Sequence, residues 1–206
     1  MKKIFTYNKD IAKTAYVNWR TDQNDHIWNM IAMADGFLSS AIELSKVCID
    51  DNHDKKADML IFPTLTNANH GIELYLKSMV WILNILLGAD QKIEGKHNIQ
   101  QIYQTLQAKL KTYKGQKFLN DFKDQNKDLE DYIGELFSLL EASRGKDNMD
   151  FSRYPINKDY ESHFYVDMRD NVVVDLENFV ERFQKIKDGL EAAASYLFHI
   201  ELRHEY

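Results

Sequence analysis

NVVVDLENFVERFQKIKDGLEAAASYLFHI, residues Asn171 to Ile200, is the stretch that decides the fold. Val172, Leu176, Phe179, Phe183, Ile186, Leu190, Ala193, Leu197 and Ile200 follow at alternating steps of four and three, the a/d seam of one long amphipathic helix. A helix over 171–206 has about 35 residues and is ~50 Å long, enough to cross a whole domain. The seam reads either as the spine of a monomer or as a face that pairs with a second subunit.

The rest of the chain agrees with helices. Its 206 residues hold only 8 Gly and 2 Pro, about 5% against roughly 12% in proteins generally. A sandwich or barrel needs a turn every ~8–12 residues, and tight turns draw on those two residues. Asp25 caps a predicted helix to about Cys48, with Ile27, Ile31, Ala34, Leu38 and Ala41 on one stripe. A second stripe, Met30, Met33, Phe37 and Leu44, predicts that this helix is largely buried. Pro63 fits the first turn of a second helix or a kink near its start, and that helix runs to Gly88 at a C′ position. Asn98 caps a third helix carrying Ile99, Ile102, Tyr103, Leu106 and Leu110, which Gly115 stops. A fourth covers about 116–143 with a break near Asn126. The expected architecture is all-α, a single domain built as an antiparallel four- to five-helix bundle, with an N-terminal arm (1–24), a long loop (144–168) and the long C-terminal helix. Gly36, Gly71, Gly134 and Gly189 fall within predicted helices, where each is ~1 kcal/mol worse than Ala. Gly71 in particular calls for a close helix crossing or a ligand.

The net charge of −6 is not the footprint of a strongly basic nucleic-acid binder, and DNA is not an expected partner. The arm alone is basic, with Lys2, Lys3, Lys9, Lys13 and Arg20 against Asp10; it reads as a solvated terminus or as a local basic arm. Cys48 is the one cysteine, so no intramolecular disulfide is possible, and its setting is the buried end of a helix. The N-terminal apolar run is too short for a signal peptide, and Met79 to Leu87 falls far short of a bilayer span. A cytoplasmic protein without membrane association is expected.

Thr66, His70, Glu73 and Lys77 step by four, three and four, a polar stripe on an otherwise apolar rod. One reading is a solvated face with a Glu73–Lys77 ion pair. The other places His70 and Glu73 in a groove between helices, where a partly buried charge pair binds a polar ligand.

The run Pro63-Thr-Leu-Thr-Asn-Ala-Asn-His70-Gly-Ile-Glu73-Leu-Tyr-Leu-Lys77-Ser78, followed by Gly95-Lys96-His97-Asn98-Ile99 and later by Phe151-Ser152-Arg153-Tyr154-Pro155, resembles the HEPN superfamily of helical bundles. The three segments occur in that family's order. The resemblance implies a bundle, usually dimeric, acting in nucleotide or RNA transactions, sometimes as a toxin or in defence and often beside a partner protein. Many members are metal-independent endoribonucleases whose site is an Arg, a polar residue and, three to five residues on, a His. There the His does acid–base work on a 2′-hydroxyl and the Arg steadies the phosphate.

This chain departs from that motif. After Arg153 the next histidine is His163, Arg203 and His204 are adjacent, and Arg20 and His26 have the spacing but precede the first long helix. The departure favours a non-catalytic binding or regulatory module, with His70, Glu73, Lys77, His97, Arg153 and Tyr154 as groove candidates for a nucleotide or RNA. His97 also reads as packing over the first turn of the helix that Asn98 caps. The alternatives are a ribonuclease that assembles Arg153 and His163, and a structural protein that dimerises through the C-terminal seam. No cofactor is implied, and no metal. Glu94-x-x-His97 and Glu201-x-x-His204 have the spacing of a di-metal bundle site but fall in a connector and at the C-terminus.

Overall fold

A computed structural model of the chain describes residues 2–18, 20–23, 25–90, 97–142, 149–157, 159–167 and 170–204. Glu94, Gly95 and Lys96 lie outside the described residues, as does 143–148 of the long loop. The helices are α1 (His26–Asp50), α2 (Lys56–Leu86), α3 (Ile99–Gln125), α4 (Lys127–Ala142), the four-residue α5 (Phe164–Asp167) and α6 (Leu176–Ser195), and α6 continues into a π-helical turn over Tyr196–Leu202. Among the described residues no strand forms beyond one isolated bridge between Ile156 and Ser162. The chain is an all-α bundle. No helix among the described residues is long and apolar enough to cross a membrane.

Helix α2 is its axis, packed against α1, α3, α6 and the π turn. Ala68, Ile72, Tyr75, Leu76, Met79, Ile82 and Leu83 are all inaccessible to solvent, so the helix is covered on most sides, as a rod apolar nearly all round must be. Asp25 caps α1 by accepting from the Trp28 N–H at 2.8 Å. The first stripe of α1 is buried as expected, and so is Cys48. The second is not: Met33 is 49% exposed, because α1 packs against α2 and α6 and its remaining face is open.

Pro63 is not in the first turn of α2. The helix begins at Lys56, and Pro63 lies inside it. The preceding Lys56-Ala-Asp-Met-Leu-Ile-Phe62 forms helix readily. The carbonyl of Met59, which Pro63 cannot serve, belongs to an exposed residue that water reaches. Pro63→Ala is accordingly expected to stabilise the protein by only about 1 kcal/mol, below the ~3 kcal/mol penalty of a proline in a dry helix interior. A urea midpoint that falls on this substitution would contradict the account.

The other punctuation holds. Gly88 takes positive φ at the end of α2, and the Ala89 N–H returns to the Asn84 carbonyl at 2.8 Å, closing a Schellman turn. Asn98 caps α3 through the Gln101 N–H at 2.9 Å. Gly115, at φ 82°, breaks α3 into two rods, and Asn126 separates α3 from α4. Asn126 is buried and meets α6 at Gly189, where an added Cβ would lie 2.8 Å from its Oδ1.

Helix α6 starts at Leu176, not near 171. Asp175 caps it by accepting from the Asn178 N–H, while Val172, Val173 and Val174 are extended and exposed. Three consecutive β-branched residues ahead of a good N-cap favour that outcome. Phe179, Phe183, Ile186 and Leu190 are buried, but the next buried position is Ala194 rather than Ala193, the drift of a straight helix away from a strict heptad. The seam packs within one chain, against α1, α2 and α4.

Between α4 and α6 the described stretches 149–157 and 159–167 are anchored to the bundle. Met149, Phe151 and Phe164 are buried, and the Phe151 and Phe164 rings meet at 5.5 Å. A 3-10 turn over Met149–Ser152 sits on α2.

Candidate functional site

The polar stripe of α2 faces a groove, not water. Glu73 is 6% exposed. Lys77 Nζ donates to its Oε1 at 2.6 Å, His97 Nδ1 lies 3.0 Å from the same oxygen and 3.3 Å from Oε2, and His70 Nδ1 is 3.8 Å from Oε2. A carboxylate can only accept, so the His97 Nδ1 carries the proton, and Nε2 of the neutral ring is an acceptor. Burial by itself would raise the Glu73 pKa. The nearby His70, the hydrogen bond and charge of Lys77 and the charge of His97 outweigh it and hold the carboxyl down at about 2.

Around this cluster lies a cavity of about 190 Å³ lined by Thr66, Asn69, His70, Glu73, His97, Met149, Ser152 and Arg153. Its wall is α2, its side is the start of α3, and the Met149–Ser152 turn roofs it. The roof is pinned by Thr66 Oγ1, which lies 3.1 Å from the Ser152 carbonyl and 3.0 Å from its hydroxyl. Phe37 of α1 holds His70 edge-to-face at 4.5 Å. Arg153 donates to Asp150 at 2.8 Å and is half exposed at the rim. Asn69 is buried; its Oδ1 accepts from the Tyr132 hydroxyl at 2.8 Å, while its Nδ2 has no hydrogen-bond partner among the described residues.

Of the residues the sequence singles out, His70, Glu73, Lys77, His97 and Arg153 therefore converge. His97 does not pack over the first turn of α3 but reaches across to Glu73. Tyr154 is exposed and does not line the cavity. His163 is 0% exposed, with its ring stacked on Tyr165 at 6.1 Å. It does not meet Arg153 in this cavity. Arg20 lines a different cavity, and His26 is exposed. Sequence reasoning passed over Asn69, although it lies three residues after Thr66 and four before Glu73, on the same helical face. Glu201 is taken by Lys114, Tyr113 and Tyr196. Among the described residues no group of three or more His, Cys, Asp and Glu side chains is placed to hold a metal ion.

Comparison of the chain with protein-family models, with curated proteins and with solved structures returns no match.

Proposed function

We propose that the chain is a HEPN-like binding module that takes a phosphate-bearing ligand, a nucleotide or an RNA, in the cavity between α2, the start of α3 and the Met149–Ser152 turn. The observation that carries this reading is the imbalance of hydrogen-bonding groups. The cavity's one carboxylate, Glu73, is engaged by Lys77, His97 and His70. Donors are left over: among the described residues the Asn69 Nδ2 has no hydrogen-bond partner, and the Arg153 guanidinium, which spends one nitrogen on Asp150, reaches the same space. Spare donors beside spent acceptors suit an anion, and a guanidinium fork matches a phosphate.

The test is titration of the full chain with inorganic phosphate, AMP and a short RNA. Wild type binds the phosphate-bearing ligands, Arg153→Ala binds them about tenfold more weakly, and RNA stays intact. Equal affinity in the two proteins would remove the cavity from the account. One observation favours a second reading, a metal-independent endoribonuclease. A His97 whose Nδ1–H is fixed on a buried carboxylate has the orientation of a general base or acid. RNA cleavage lost in His97→Ala would replace the binding reading with that one.

A further inference from the structure

A second and larger cavity, of about 550 Å³, lies between the N-terminal half of α1, Tyr75 of α2 and the end of α6 with its π turn. That volume is in the range of small-molecule sites. It is lined by the ring of Tyr75, which is fully buried and whose hydroxyl has no hydrogen-bond partner among the described residues. A buried hydroxyl without a partner costs free energy that a well-packed core avoids. Burial and the nearby charges of Asp35 and Glu191 keep that hydroxyl protonated, so it stands as a donor.

The wall is aromatic. Trp28 and Phe198 meet at 5.7 Å, and His199 stands edge-on to Trp28 at the same separation. The Arg203 guanidinium covers Phe198 at 4.3 Å from the ring centre, which leaves Trp28, 36% exposed, as the open face. The π turn shapes this wall: by widening the last turn it buries the consecutive Leu197 and Phe198. Such turns are uncommon and concentrate at functional sites.

Around Tyr75 the charges are internally matched. Asp25 is bound by Arg203, while Asp35 and Glu191 share Lys187 at 2.8 and 3.5 Å; the other charged residues of the lining, Arg20 and Asp22, come from the N-terminal arm and are of opposite sign. An added ion beside Tyr75 would have to displace one of these partners. An uncharged ring would not, and it could stack on Trp28 while its edge accepts from Tyr75 and donates to a carboxylate.

We infer that this cavity is a second binding site, for an uncharged planar heteroaromatic ring with a hydrogen-bond acceptor and an N–H donor on its edge. The inference does not rest on the phosphate reading. Its test is titration of the full chain with adenine and with nicotinamide, followed by calorimetry and by the amide shifts of α1 and α6. Wild type binds at least one of the two rings. Tyr75→Phe binds it about tenfold more weakly while its thermal midpoint is unchanged or higher, because the removed hydroxyl had no partner. Trp28→Leu weakens binding in the same direction, and benzoate and benzylammonium bind more weakly than the neutral rings. Failure of wild type to bind either ring, undiminished binding by Tyr75→Phe, or tighter binding of a charged analogue would each overturn the site. Inorganic phosphate titrated into Tyr75→Phe reports on the first cavity alone, so the two readings fail separately.

Discussion

Glu73→Gln is expected to lower the unfolding free energy at pH 7 by about 3 kcal/mol, the scale of breaking a buried charge cluster by removing one member. The substitution keeps the shape of the side chain but leaves Lys77, only 16% exposed at its side chain, without the carboxylate that balances it. The same cluster sets an acid limit. Glu73 titrates at about 2 in the folded chain against 4.5 for the free group. A depressed carboxylate stabilises the fold fully above the unfolded value and progressively less as pH falls from there toward 2. Wild type therefore loses up to about 3 kcal/mol across that window relative to Glu73→Gln, which has no group to protonate there. Urea denaturation of both proteins at pH 7 and pH 3 measures this directly: the gap between them should shrink at the lower pH. A gap that stays constant would mean that Glu73 is not the group responsible. Replacing Lys77 by Met in the Glu73→Gln background should recover part of the loss, since it removes a largely buried cation that has lost the Glu73 carboxylate.

Gly71→Ala is the second large effect. A Cβ at this position would lie 2.7 Å from Leu38 Cγ and 3.0 Å from both the Ala34 carbonyl oxygen and the Leu38 nitrogen. Two of those atoms are helix backbone, so α1 and α2 must move apart rather than one side chain rotate. Overpacking of this kind costs ~1–3 kcal/mol and outweighs the ~1 kcal/mol that Ala gains over Gly in a helix. A net loss of up to about 2 kcal/mol is expected, a fall in thermal midpoint of at most roughly 4–8 °C for a chain of this size. Leu38→Ala should not rescue it, because the backbone atoms remain. Gly36→Ala is the control: nothing lies within 4 Å of its added Cβ, and it should be neutral or stabilising. Equal behaviour of the two alanine variants would show that the crossing is not closed at Gly71.

The glycine was the one helical Gly the sequence marked as needing a reason, and a helix crossing supplies it. Much else of the fold was legible for similarly local reasons. The apolar period of 176–190, the caps at Asp25 and Asn98 and the stops at Gly88 and Gly115 are written in neighbouring residues. The start of α6 was misread because the seam includes Val172, whose spacing fits, while its β-branched neighbours and the cap at Asp175 argue otherwise. Pro63 is not a first-turn residue because the helix-forming run 56–62 precedes it, and the proline lies near the start of α2, four residues after the exposed Met59.

The site was half legible. The spacing of Thr66, His70, Glu73 and Lys77 shows that they share a face. Whether that face meets water or protein depends on the Met149–Ser152 turn, which no periodicity near residue 70 encodes. Asn69 and Tyr75 carry their meaning in atoms left without partners, and that is a property of packing alone. His163 shows the converse, for a histidine at a suggestive distance from Arg153 in sequence is enclosed in the core.

The latch between Thr66 and Ser152 joins residues 86 positions apart. During synthesis, α1 and α2 can pair soon after α2 has emerged, since their contact is between neighbours in sequence. The roof of the cavity cannot close until residue 153 has left the ribosome, and the seam of α6 that completes the core follows later still. Contacts this distant in the chain form slowly. The nascent chain therefore passes through a stage in which the Glu73 cluster is open to solvent, and the cavity takes its shape only once residues 149–153 can fold back onto α2.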